Sequence, residues 1–130
     1  MKQRISQSMS FRVCVYPSPD EKGHFIAHCL ELDVVGESSN VEGAVSELLE
    51  SIETQIESCR ETGAQLQFFA PAKVWYKYQS ARKAGRRIAG ELLERVVARA
   101  NRRLGCNASS DIFDNIVGTR EIPSECLATA

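Results

Sequence analysis

The chain has 130 residues, with 16 Lys and Arg against 17 Asp and Glu, and 43% of its residues are hydrophobic. That composition excludes a wholly disordered chain, and no apolar run approaches the roughly 18 residues a membrane span needs. Met1 to Phe11 is polar, which argues against a secretory leader and predicts a cytoplasmic protein with no membrane partner. The net charge of −1 hides a division. Residues 1–70 carry 11 acidic and 5 basic side chains, residues 71–105 carry 2 and 10, and residues 106–130 carry 4 and 1. An acidic body followed by a basic segment is a layout that invites partners.

In chain order, Phe11-Arg12-Val13-Cys14-Val15-Tyr16 alternates, with Phe11, Val13 and Val15 on one face, as a half-buried strand does. Turn formers from Pro17 to Gly23 follow, and then a second strand, His24 to Cys29, in an expected antiparallel hairpin. Val34-Val35 is a short third strand stopped by Gly36. Ser39 with Glu42 fits a capping box, and Asn40 is an equally good cap, for a helix carrying Val41, Ala44, Val45, Leu48, Leu49, Ile52, Ile56 and Cys59 on one stripe. Gly63 is its natural stop.

Gln65-Leu66-Gln67-Phe68-Phe69 alternates as a fourth strand. Pro71 then suits the first turn of a helix holding Trp75 and Tyr78 three apart; a strand through Trp75 to Tyr78 is the alternative. From Arg86 onward Ile88, Ala89, Leu92, Leu93, Val96, Val97, Ala100 and Leu104 predict a helix, ended by Gly105. Ile112, Phe113, Ile116 and Val117 predict a second short helix, with Ser109 as cap and Gly118 as stop. The tail after Arg120 has no pattern and is expected to be mobile.

The five cysteines, Cys14, Cys29, Cys59, Cys106 and Cys126, include no Cys-x-x-Cys pair, so they read as reduced thiols and not as zinc ligands or a disulfide framework. His24 and His28 sit in a strand, which sets them about 13 Å apart on one face and weakens a metal reading. No cofactor is indicated.

The stretch Gly23-His24-Phe25-Ile26-Ala27-His28-Cys29-Leu30-Glu31-Leu32-Asp33-Val34-Val35-Gly36, with Glu37-Ser38, Glu42 and Ala44 after it, resembles the signature of HicB-like proteins. The resemblance covers about residues 10–70. Gly43 stands where that family often has Glu, and the Ser38-Ser39-Asn40 stretch is one or two residues longer than usual. The resemblance implies an α+β fold, β-β-β-α-β, half of a ribonuclease-H-like domain, with C-terminal helices. It also implies an antitoxin that binds and blocks a HicA-type toxin, a small protein that cleaves mRNA. Many members carry a C-terminal DNA-binding segment for autorepression; others stand alone. The organisation expected here is a HicB-like domain over 1–70, a basic helical segment over 71–118 and a tail over 119–130.

Ribonuclease-H chemistry needs carboxylates on the first strand, and none lies between Phe11 and Tyr16, so binding is expected and not catalysis. Glu42, Glu47, Glu50, Glu53 and Glu57 are candidate contacts for a basic toxin, although a charged face is usually only solvated. Arg82, Lys83, Arg86, Arg87, Arg95, Arg99, Arg102 and Arg103 are candidate phosphate contacts to operator DNA, and the helix pair expected over 88–104 and 109–117 has the form of a small DNA-binding or dimerising unit. Asp111 and Asp114 suit a recognition helix poorly. The competing reading is that this basic segment neutralises the acidic helix of its own chain or of a twin subunit. The alternative function is a stand-alone interaction or dimerisation module. The open edge of a short sheet predicts a homodimer or higher homo-oligomer in either case.

Overall fold

The computed structural model describes residues 10–63, 69–103 and 113–128. Three strands open the fold: β1 (Phe11–Pro17), β2 (Phe25–Cys29) and β3 (Val34–Ser38). β1 pairs antiparallel with β2, setting Cys14 beside His28, and β2 pairs antiparallel with β3. Helix α1 (Val41–Thr62) follows, then α2 (Ala72–Lys83), α3 (Glu91–Arg103), β4 (Phe113–Gly118) and a single 3-10 turn, Ser124–Cys126. The sheet order is β3-β2-β1-β4, with β4 parallel to β1. The fold is α+β with a mixed four-stranded sheet.

Alternation along β1 divides the core. Phe11, Val13 and Val15 face α1 and join Val45, Leu48, Leu49 and Ile52 in the main cluster, all fully buried. Cys14 faces the other way and packs with Leu30, Val74, Tyr78 and Val117 under α2. Both expected ends of α1 are present. The Asn40 side chain, and not the Ser39 capping box, accepts the Gly43 N–H at 2.6 Å. Gly63 closes the helix in the left-handed conformation, φ 72°, with its N–H on the Cys59 carbonyl. Gly36 sits where β3 meets α1 so closely that a Cβ there would run into the Leu48 backbone nitrogen and the Ala44 carbonyl. A glycine is the residue that lets the helix touch the sheet at this point.

The helix expected through Trp75 and Tyr78 is α2. Two expectations further along are corrected. The short helix over 109–117 is not formed over its described part: residues 113–118 are β4. The reason is an irregular register in which Phe11 pairs Phe113 and Arg12 pairs Asn115, a bulge that spends one extra residue. Phe113 and Ile116 therefore both face the α1 side, three apart, which imitates a helical period. The long helix starts at Glu91 and not near Arg86, because Arg86 to Ile88 is extended. Ile88 donates to the Ile116 carbonyl at 2.8 Å and Gly118 to the Arg86 carbonyl at 2.9 Å, and Gly90, φ 145°, makes the break. The strand expected over 65–69 lies outside the described residues except for Phe69, which is exposed and not in a strand. Among the described residues the sheet's fourth strand is 113–118.

The patternless stretch after Arg120 is packed as far as residue 128. Ile122 is buried, Leu127 bridges to Ile88, and the Ala128 N–H donates to the Arg87 carbonyl at 2.7 Å. Cys14, Cys29, Cys59 and Cys126 are in no disulfide, and the first three are buried.

Candidate functional site

The apolar stripe of α1 points its remaining positions to solvent. Glu47, Glu50 and Glu57 are exposed, while Glu42 and Glu53 are half-buried. Glu47 and Glu50 flank a shallow groove of about 500 Å³ with Ser51, Thr54 and Gln55. Behind it the Ser51 hydroxyl donates to the Val35 carbonyl at 3.0 Å, fixing α1 against β3.

α3 lies on α1, and the two opposed charge regions meet there. Arg103 Nε reaches Glu53 Oε2 at 3.1 Å. Arg99 donates to the Ser46 hydroxyl at 2.6 Å. Arg95, Arg99 and Arg102 line a cleft between the helices that Glu42 and Ser46 close from the other side. Neutralisation within the chain thus accounts for Glu53 and Arg103, while Arg99 is held by a hydroxyl and Glu42 lines the same cleft. Arg86 is also engaged: its guanidinium spans the carbonyls of Gly118, Thr119 and Ile122 at 3.2, 3.1 and 2.7 Å and ties off the end of β4. Six of the eight predicted phosphate contacts are exposed, and of these Arg82, Lys83, Arg87, Arg95 and Arg102 are outside the Arg103–Glu53 pair.

The face of the sheet away from α1 carries a polar chain that residue patterns did not single out. The Tyr16 hydroxyl and His28 Nδ1 are 2.8 Å apart, and His28 Nε2 is 2.7 Å from Asp33 Oδ1. With a neutral ring, the Tyr16 O–H donates to Nδ1 and the Nε2–H donates to Asp33. Asp33 reaches this position from a left-handed backbone conformation, φ 54°. Next to it Glu31, almost fully buried, accepts from the Arg12 backbone N–H and from Arg12 Nη1, both at 2.8 Å. Arg12 also lies over the Trp75 ring, and Lys77 Nζ sits 4.4 Å from the centre of Tyr16. Placing Cys14 opposite His28 would have brought Tyr16 within diagonal reach of the histidine. That register was the missing signal.

Burial pushes the Tyr16 phenol up to about 12, with the charges of Cys14 and Asp33 adding to it. Burial likewise raises the Cys14 and Cys29 thiols to about 12, so both are protonated and unreactive near neutrality. His24 turns to Glu37 at 3.2 Å while His28 turns to Asp33, so the two histidines do not share a partner. Among the described residues no three His, Cys, Asp or Glu side chains gather as a metal set. None of the described helices is long and apolar enough to cross a membrane.

No family model matches the chain, and neither the curated proteins nor the solved structures hold a match.

Proposed function

We propose that the chain acts by binding and not by catalysis, as a HicB-like antitoxin whose outer α1 face receives a small basic RNA-cleaving protein of HicA type. The observation that carries the reading is the state of the glutamates. Glu47, Glu50 and Glu57 are exposed and, among the described residues, have no cation within the fold, although a strongly basic helix packs on the same α1. An acidic face left open beside available arginines is one that can steer and hold a cationic partner. The order of three antiparallel strands and a helix up to residue 63, with Glu31-Leu32 and Gly36 each serving a structural need, is consistent with the first four elements that the resemblance implies. The test is co-purification with the product of the neighbouring gene, and the loss of that complex when Glu47 and Glu50 become Lys.

A second reading, DNA contact for autorepression, draws on the exposed cations Arg82, Lys83, Arg87, Arg95 and Arg102, Arg103 being paired with Glu53. It proceeds without a helix-turn-helix, since residues 113–118 are a strand. Binding to the DNA upstream of its own gene should then weaken steeply with salt, and Arg95→Ala with Arg102→Ala should flatten that dependence by about two counterions. Equal binding by the double variant at every salt concentration removes the reading.

A further inference from the structure

A second surface, on the opposite side of the sheet from α1, has the features of a small-molecule site. β1 and β4 run parallel, and both end at a cleft of about 630 Å³ beside α2. In sheets with parallel strands, ligands collect outside the carboxyl ends of those strands, and this volume suits a small organic molecule. Ala81 and Ala84 keep the α2 side open. Lys77, Arg86 and Arg120 line the cleft, and α2 itself carries Lys73, Lys77, Arg82 and Lys83 with no carboxylate. Arg86 is committed to backbone carbonyls, but its charge still faces the back wall. Lys77 rests on the Tyr16 ring and, among the described residues, pairs with no carboxylate. Tyr76, also on the lining, is 71% exposed, a large aromatic face left in water on a helix whose other ring-bearing residues are at least half covered.

We propose that this cleft binds a nucleoside 5′-phosphate, with the phosphate held by Lys77 and Arg120 and the base laid on Tyr76. Cations and an open aromatic face on one lining match the two halves of a nucleotide, since phosphate takes charge-assisted contacts and every base offers a π-face. The Ser80 hydroxyl on the same lining can meet the ribose or a phosphate oxygen. Glu121 is the one carboxylate on the lining. Its carboxyl is held below the ordinary value first by the Thr119 hydroxyl, then by its own backbone N–H, with Arg120 and Lys77 contributing. Its negative charge shares the lining with the cations and opposes an incoming phosphate. The site shares no residue with the acidic face of α1, so it stands or falls independently of the toxin-binding reading.

The experiment is calorimetric titration of the full chain with AMP, adenosine and inorganic phosphate. AMP should saturate one site, and adenosine and phosphate should each bind at least about tenfold more weakly, because each makes half of the contacts. Lys77→Ala should weaken AMP about tenfold and Tyr76→Ala severalfold, the losses expected for one charge-assisted contact and one stacked ring. Glu121→Gln should tighten AMP binding several-fold by removing the competing carboxylate. All three positions are exposed, so circular dichroism should show an unchanged fold. The proposal is overturned by absence of saturable AMP binding up to about 1 mM. It is overturned equally by inorganic phosphate binding as tightly as AMP, or by Lys77→Ala and Glu121→Gln leaving the affinity unchanged.

Discussion

The two faces of the sheet are built on different principles. Toward α1 the contact is dry: Phe11, Val13, Val15, Ala27 and Cys29 meet Val45, Leu48, Leu49 and Ile52 with no accessible surface left, and Gly36 lets the helix backbone come down on β3. Toward α2 the cluster is smaller, and polar groups share it: Arg12 with Glu31, Tyr16 with His28 and Asp33, and Lys77 over the Tyr16 ring. α2 reaches β1 and β4 but leaves a cleft at their ends. The α1 face provides stability through apolar burial, and the opposite face gives up some of that burial to hold charged and hydroxyl groups in fixed positions.

The sharpest way to break this contrast is Gly36→Ala. Its methyl would meet backbone atoms of α1, which cannot rotate away as a side chain can, so the helix must lift from the sheet. We expect a loss of at least about 3 kcal/mol in urea unfolding, at the upper end for overpacking a core. Wild-type stability in that variant would mean that β3 and α1 do not approach as described.

Alkaline titration compares the faces at smaller amplitude. Cys29 belongs to the α1 side, and Cys14 and Tyr16 to the other; burial raises all three to about 12, from 9.0 for the thiols and 10.0 for the phenol. The folded chain holds these protons more tightly than the unfolded chain does. Their contribution is therefore complete below pH 9 and is lost as pH rises toward 12, by on the order of a few kcal/mol. Unfolding followed by circular dichroism from pH 8 to 11.5 should show the decline, and Cys14→Ala should reduce it without abolishing it. A flat profile would contradict the burial of both thiols.

Much of the α1 side was legible in the residues, because its signals are local. The eight-residue stripe from Val41 to Cys59, the caps Asn40 and Gly63 and the alternation of β1 are all set by neighbours within a few positions. The rest depends on distant pairing. β4 was hidden because its bulge puts Phe113 and Ile116 on one face at helical spacing. Arg86, grouped with seven other cations by sequence, bonds carbonyls 32 to 36 residues away, and Arg99 finds Ser46 across 53 residues. Which glutamates stay open was equally illegible, since Glu53 differs from Glu57 only in what α3 brings beside it.

The central claim is that the open acidic face of α1 receives a basic protein. It is tested most directly by measuring the affinity of the chain for the small basic product of its neighbouring gene at two salt concentrations, with the wild type and with Glu47→Lys plus Glu50→Lys. The account predicts a stable complex, weakened at least about tenfold by the double reversal and less salt-sensitive afterwards. A complex indifferent to the reversal, or no complex at low salt, would contradict it.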